Sequence, residues 1–370
     1  MKAIILAAGG GSRLAPIGLT TPKILIPILN QPLIHFHINA VKDLVEEVII
    51  IVGPNQFGQQ IQHYIDSYQW PIPVHTCIQP EPLGTAHAFH TARNFFNETE
   101  RVMCLLGDDV YSHHDLEKLS QHQFAILGKH VDDWQKWGIL QTNEIFQLTG
   151  IVEKPHTFVG NIANTGAAVV TSEIFELFDQ IKPSERGEYE FTDTLTLLSQ
   201  KHIIDVAKVE DYWLPIGYPW HILQASQILA TKNQTDLPLV GKNSKIESST
   251  SIIGTSIIGN NVIIEDGASI ENSIIFDNVR IGKNTQVRHS IIGKNVRIGQ
   301  NVHFIDRLQH DTEIHTSIKG QAANTGLKKF GAVIGNDAQI GDDVTINPGI
   351  KIWPNTETKN NQTINSDLIL

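Results

Sequence analysis

Lys2-Ala3-Ile4-Ile5-Leu6-Ala7-Ala8-Gly9-Gly10-Gly11-Ser12-Arg13-Leu14-Ala15-Pro16 runs as an apolar strand into a glycine-rich turn that carries an arginine. The apolar run stops at Gly9 and no cleavage site follows, so it reads as a first β-strand and not as a signal peptide. Glycines directly after a strand let backbone N–H groups close around phosphate oxygens. Arg13, with Lys23 of the downstream Thr21-Pro22-Lys23, supplies positive charge. A turn serving strand-to-helix geometry alone would explain the glycines but neither cation. No Gly-Lys-Ser/Thr opens a helix here, and the glycine spacing of a dinucleotide fingerprint is incomplete. The stretch is therefore read as a triphosphate clamp of another kind.

Outward from this strand, apolar runs alternate with helix-patterned segments. Helices are expected over 33–45, 59–68 and 85–96, and strands over 48–52, 74–78 and 101–106. This rhythm predicts an α/β architecture: a Rossmann-like mixed, mostly parallel sheet with helices on both faces. Ligands of such sheets bind beyond the carboxyl ends of the strands. The glycine turn after Leu6 and the pair Asp108-Asp109 after Leu106 both fall there. Short strand-like pieces over 138–168, helical patterns at 172–181 and 192–200, a strand near 203–209 and a helix near 220–230 complete a first domain, 1–232. A polar linker, 233–245, follows.

From Ile246 the pattern changes. Ile258-Gly259-Asn260-Asn261-Val262, Ile281-Gly282-Lys283-Asn284-Thr285, Ile292-Gly293-Lys294-Asn295-Val296 and Ile298-Gly299-Gln300-Asn301-Val302 repeat one theme. It returns as Ile334-Gly335-Asn336-Asp337-Ala338 and Ile340-Gly341-Asp342-Asp343-Val344. An aliphatic residue held mostly at a six-residue step is a hexapeptide β-helix repeat, with Gly and Asn accepting the positive-φ corners. The prism is expected over 246–354, interrupted by a polar excursion at 305–333 and followed by a polar tail, 355–370. Spacing alone leaves the handedness of the coil open.

A formal charge of −11 argues against non-specific nucleic-acid binding, so any phosphate ligand must meet a local cationic site. No run is long enough to cross a bilayer. Cys77 and Cys104 sit in apolar strand-like runs without metal-type spacing and read as buried free thiols, which fits a cytoplasmic protein. The chain has 17 histidines, but His35 and His37 lie two apart on an expected helix and His113-His114 are adjacent, which is not ligand spacing.

The compound motif of glycine turn, Arg13, Pro16 and Pro22-Lys23 closely resembles the signature of the sugar-1-phosphate nucleotidylyltransferases. The prism resembles the left-handed β-helix of hexapeptide acyltransferases and of bifunctional N-acetylglucosamine-1-phosphate uridylyltransferase-like proteins. The first resemblance covers about the first 230 residues, the second most of the rest. It implies transfer of a nucleotidyl group from UTP or dTTP to a sugar-1-phosphate such as N-acetylglucosamine-1-phosphate or glucose-1-phosphate, with Mg2+ as cofactor. Arg13, Lys23 and Asp108 would be catalytic, Asp108 also holding the metal. The nucleotide would meet Leu6, Ala7, Ala8, Gly9, Gly11 and Gly107. In Gln79-Pro80-Glu81-Pro82-Leu83-Gly84-Thr85 the glutamine amide matches the two-edged pattern of a pyrimidine, Gly84 and Thr85 let a helix start approach it, and the segment resembles the uracil-binding stretch of the uridylyltransferase branch. Gly138, Glu153, Lys154 and Asn164 would hold the sugar hydroxyls and phosphate; each alone is a bland turn or strand-end residue. Asp109 reads as a solvated or capping neighbour, with strand alternation able to exchange its role with that of Asp108.

Two departures stand out. Gly18 occupies a position where many members have threonine. Pro215, in Trp213-Leu214-Pro215-Ile216-Gly217, stands where many have an aspartate, leaving the second protein ligand for magnesium to water or another carboxylate. Gly187-Glu188-Tyr189-Glu190-Phe191-Thr192-Asp193 is read first as structure, a polar cap opening a helix. Two other readings stay open. One is a bifunctional enzyme that also acetylates an amino-sugar phosphate with acetyl-CoA, using His310, Lys328 and Lys329 of the excursion, although Arg307 and Gln309 look substituted. The other is a regulatory homologue without turnover. By analogy with other prisms a homo-oligomer, plausibly a trimer, is expected, with small-molecule substrates and neither nucleic-acid nor membrane partners.

Overall fold

The computed structural model describes residues 1–369. They form two compact units, Met1–Gly10 with Leu33–Pro215, and Gly11–Pro32 with Ile216 onward. This division differs from the continuous segment 1–232 read from the sequence. Local periodicity identifies elements, but not the partners they pack against.

The first unit is built on β1 (Lys2–Leu6), α1 (Leu33–Val41), β2 (Val48–Val52), α2 (Gln56–Ser67), β3 (Val74–Ile78), α3 (Thr85–Thr91) and β4 (Arg101–Leu106). Then come β5 (Asp109–Tyr111), α4 (His113–Ser120), β6 (Ala125–His130), β7 (Gly138–Thr142), β8 (Leu148–Glu153), β9 (Ile162–Thr171), α5 (Phe191–Ser199), β10 (Asp205–Lys208) and β11 (Trp213–Pro215). The nine-stranded sheet has the order β8-β7-β9-β4-β1-β2-β3, with β6 pairing both β9 and β10. Val48-Ile49-Ile50-Ile51-Val52 is β-branched throughout and wholly buried, as a strand covered on both faces must be. Its register places Ile51 beside Leu6, and Leu6 beside Leu106. The central strands are parallel, whereas β9 runs antiparallel to β4 and carries the sheet into its second half. At α2, Asn55 caps the helix by accepting from the N–H groups of Phe57 and Gly58.

In the second unit the chain winds as a left-handed parallel β-helix of three sheets with six, five and six strands. One turn advances 17 or 18 residues, as between Asn260 and Asp277 or Lys242 and Asn260. Ile258, Ile264, Ile270 and their equivalents in later turns fill the interior. The corners explain the asparagines. Asn261, Asn278 and Asn295 have φ of 55°, 63° and 61°, and each passes its amide to the next side chain in the ladder, ending on Asp337. Asparagine tolerates this left-handed backbone and carries a donor and an acceptor to continue the chain of bonds.

The excursion falls where the repeat lapses: consecutive rungs there are 42 residues apart, as between Lys294 and Asn336. It contains an antiparallel hairpin, His315–Ile318 with Gln321–Asn324, tied to the prism by Thr316 Oγ1 donating to Gly349 O and by the Lys351 ammonium on Ser317 O. The segment expected as a polar tail is not one throughout. Thr363–Ile364 extends the third sheet beside Thr345–Ile346, and Leu368 bridges to Ile352. Asn355 and Asn361 form its corners in place of an Ile-Gly signal. Leu370 lies outside the described residues. No helix among the described residues is long and apolar enough to cross a membrane.

Candidate active site

In the first unit the carboxyl ends of β1 and β4 lie side by side. Gly107 N–H donates to Leu6 O at 2.9 Å, and a Cβ on Gly107 would stand 2.2 Å from that oxygen, so only glycine closes this edge. Ala7 N–H is bonded to Ile51 O, which fixes the start of Ala7-Ala8-Gly9. A Cβ on Gly9 or Gly10 would meet nothing within 4 Å. Asp108 follows on the turn between β4 and β5, partly exposed.

Asp109 corrects the sequence expectation. It is buried, not solvated, and its Oδ2 accepts from the Trp213 indole at 2.7 Å. Through the β5–β11 pair, Pro215 lies opposite Asp109. The position expected from the resemblance to carry a second carboxylate therefore adjoins a buried one. Two further supports of this turn escaped sequence reasoning. His37, buried, sets Nδ1 3.0 Å from Leu33 O and Nε2 3.2 Å from Leu106 O, and burial lowers its pKa although the Asp108 carboxylate opposes the shift. Tyr111 donates to Thr165 O at 2.8 Å, and burial together with Asp109 and Asp108 pushes its phenol well above the ordinary value.

Gln79 is buried behind β3. Its Nε2 donates to Gly84 O at 3.1 Å and lies 3.1 Å from His87 Nδ1. That ring nitrogen also lies 3.1 Å from Glu81 O, to which it donates in the tautomer protonated at Nδ1; the bond to Gly84 O alone fixes which end of the amide carries the NH2, and Oε1 is left as an acceptor. Gly84 has φ 106°, and a Cβ there would meet Tyr189 O at 2.5 Å. The helix start at Gly84-Thr85 is less open than expected, since Ala86 N–H is bonded to Tyr189 O and Phe191 N–H to Thr85 Oγ1. The segment from Gly187 to Asp193 is structural, but as a latch on the Gln79–Thr85 stretch. Glu190, the N-cap of α5, makes no side-chain cap.

On β7, β8 and β9 the structure brings Gly138, Glu153 and Asn164 together. Gly138 is in register with Glu153, and a Cβ at 138 would lie 2.7 Å from Glu153 Oε2 and 3.9 Å from Asn164 Cβ. Asn164 Oδ1 accepts from Gly166 N–H, a bond that does not use its amide NH2. Lys154 follows Glu153 with φ 42°, its N–H on Trp137 O.

In the second unit the signature loop folds into short 3-10 turns at Ser12–Leu14, Ile17–Leu19 and Lys23–Leu25. Gly11, with φ 60°, brings its Cα against Lys23, since a Cβ added to it would lie 3.7 Å from Lys23 Cβ. A Cβ on Gly18 would stand 2.5 Å from Gly11 O, so the threonine common at this position cannot be fitted without moving the loop. Arg13 is exposed, its guanidinium 5.6 Å from the Tyr218 ring centroid. In the excursion, Lys328 pairs with Asp311 at 3.3 Å while both remain exposed, as do His310 and Lys329.

Residues 235–369 match the family described as GMPPB C-terminal domain. The chain is 32% identical over 274 residues to "Bifunctional protein GlmU" of Methanococcus maripaludis, covering 73% of this chain and 62% of that protein, so it spans less than two thirds of that relative. It is 31% identical over 237 residues to "UTP--glucose-1-phosphate uridylyltransferase AglF" of Haloferax volcanii, covering 62% of this chain and 96% of that one. A solved UDP-glucose pyrophosphorylase complexed with UDP-glucose superposes with a TM-score of 0.57 at 22% identity over 62% of this chain and 98% of its own, a likeness of fold. Since residues 2–232, more than half of the sequence, match the family described as Nucleotidyl transferase, this chain belongs to that family.

Proposed function

We propose that this protein forms a nucleotide sugar from UTP and a sugar-1-phosphate, releasing pyrophosphate. The observation that carries the reading is the edge where β1 and β4 end together, closed by Gly107 and followed by Asp108. An oxygen of the sugar phosphate attacks the α-phosphorus of UTP, a new P–O bond forms, and the α–β bridging bond breaks to free pyrophosphate. The nucleophile needs no general base, because a phosphate monoester with a second pKa of about 6 is largely dianionic at neutral pH. The protein's task is then positioning and charge neutralisation.

In this reading Lys23 neutralises the two reacting phosphates, and Arg13 with the glycine-loop amides takes the pyrophosphate. Asp108 holds magnesium, which when bound neutralises the triphosphate. Its donor chemistry fits, since magnesium takes hard oxygens from one or two carboxylates and completes its shell with phosphates and water. Among the described residues no three His, Cys, Asp or Glu side chains form a cage, so Asp108 would share the ion with substrate. Gln79 Oε1, as an acceptor, suits the N3–H of uracil and repels the bare N3 of cytosine. Gly138, Glu153, Lys154 and Asn164 would hold the sugar.

The reading is tested by pyrophosphate release with UTP, dTTP or CTP, magnesium, and glucose-1-phosphate, N-acetylglucosamine-1-phosphate or glucosamine-1-phosphate. Turnover is expected with UTP and at least one sugar, and not with CTP; no turnover with any pair would overturn it. The name of the Methanococcus relative favours a second reading, acetyl transfer in the prism. Thiol release from acetyl-CoA on glucosamine-1-phosphate, abolished by His310→Ala, would support it.

A further inference from the structure

Asn336 belongs to the hexapeptide repeat, where its equivalents face other rungs or solvent, yet it is buried at 7% exposure. Its two ends do different things. Oδ1 accepts from Lys294 N–H at 2.8 Å, a bond of the prism's own ladder. Nδ2 donates to Thr20 Oγ1 at 2.8 Å and lies 3.3 Å from Thr21 Oγ1, some 316 residues away in sequence. Thr21 is itself buried, and only Pro22 separates it from Lys23.

The rest of the loop is held from the same side. Asn30 Nδ2 donates to Ile258 O at 2.7 Å, inside a strand of the first prism sheet. Arg13 lies over Tyr218, Tyr218 stacks on Trp220 at 4.6 Å and 5°, and Trp220 meets Phe330 edge-on at 6.0 Å where the excursion rejoins the prism. The outward residues of the first prism sheet, Ile257, Ile274, Ile291 and Val333, are at most 2% exposed, so this face is covered and not a free surface.

We infer that Asn336 is a positioning residue for nucleotidyl transfer: the β-helix holds the phosphate-clamp loop, and through Thr20 and Thr21 it sets the place of Lys23. The inference rests on the proposed function for its kinetic consequence, but not for the anchoring itself. A side chain that crosses from a prism rung to a loop of short turns fixes the backbone from which Lys23 projects. Misplacing a catalytic group by about 1 Å costs on the order of a hundredfold in rate.

The test compares Asn336→Ala, Asn336→Asp and the double variant Thr20→Val/Thr21→Val in the full-length chain. Asn336→Asp keeps the acceptor for Lys294 N–H and offers its second oxygen to the threonine hydroxyls, so it preserves both links and serves as the conservative rescue. The alanine and double-valine variants are expected to lose about ten- to a hundredfold in kcat. KM for the sugar phosphate should stay within about threefold, and the aspartate variant should recover most of the rate. Hydrogen–deuterium exchange should quicken over residues 19–26 in the alanine and double-valine variants and remain unchanged over β1. Unaltered kcat with unaltered exchange in both would overturn the inference. Faster exchange in those variants, with a wild-type protein that itself lacks turnover, would instead leave the anchor standing and remove the transferase reading.

Discussion

In the proposed reading a single buried side chain, Gln79, chooses the base. Its NH2 group is engaged by Gly84 O and faces His87 Nδ1, which leaves an acceptor as its recognition chemistry. Glutamate at this position would set a charged oxygen against Gly84 O, turning the end that now donates into one that repels. We therefore expect Gln79→Glu to raise KM for UTP by at least about tenfold, equivalent to roughly 1.4 kcal/mol, while KM for the sugar phosphate is unchanged. Initial-rate kinetics with one substrate varied at a time checks this, and an equal rise in both constants would count against base recognition by Gln79. Asp108 and Asp109 show the complementary lesson. Adjacent in sequence and identical in chemistry, they separate in the fold, one on a turn and one buried under Trp213. Gly18 is explained the same way, by the 2.5 Å that a Cβ would leave to Gly11 O.

Among the elements, the excursion is the part least like its surroundings. Its first residues are fixed by Asp306, 4% exposed, whose backbone oxygen accepts from Phe330 N–H and whose Oδ2 lies 2.7 Å from His289 Nδ1. The approach is close but off the line of the ring N–H, so the contact is electrostatic more than a well-directed hydrogen bond. Burial alone would raise the Asp306 carboxyl, but the His289 and Arg307 side chains beside it outweigh this and hold it below the ordinary value of 3.8. A carboxyl lowered on folding adds stability above its unfolded pKa and loses it as pH falls through the folded one. Asp306→Asn should accordingly melt below wild type at pH 6, with the gap closing below about pH 4. Calorimetry from pH 3 to 7 measures it, and a gap independent of pH would show that the carboxyl charge is not what matters.

At the scale of the whole molecule, much of the architecture was legible in the sequence. Val48–Val52 announces a buried parallel strand by composition alone, and Ile-Gly-x-Asn repeats announce a prism because its corners demand positive φ. Helix ends were less legible: the pattern over 85–96 ends as a helix at Thr91 and continues as a short 3-10 turn, Arg93–Phe95. Of the candidate site, Gly138, Glu153 and Asn164 were named together by resemblance, but that Gly138 lies in register with Glu153 is seen only in the fold. Pairings across long separations could not. Nothing local to Asp109 names Trp213, and nothing near Thr20 names Asn336, since both contacts are made by folding and not by spacing. The final turn over Thr363–Ile364 was missed because asparagine corners stand there without the isoleucine-glycine step.

The central claim is that the cations of the glycine loop and the carboxylate after β4 serve one phosphoryl-group reaction. Nucleotide-sugar formation from UTP and the preferred sugar phosphate, measured in Lys23→Ala and Asp108→Asn beside wild type at saturating magnesium with melting curves as a control, tests it most directly. Each variant should keep its fold and lose at least about a hundredfold in kcat, the scale of removing one charge-stabilising group. A folded variant of either kind that turned over at the wild-type rate would contradict the account.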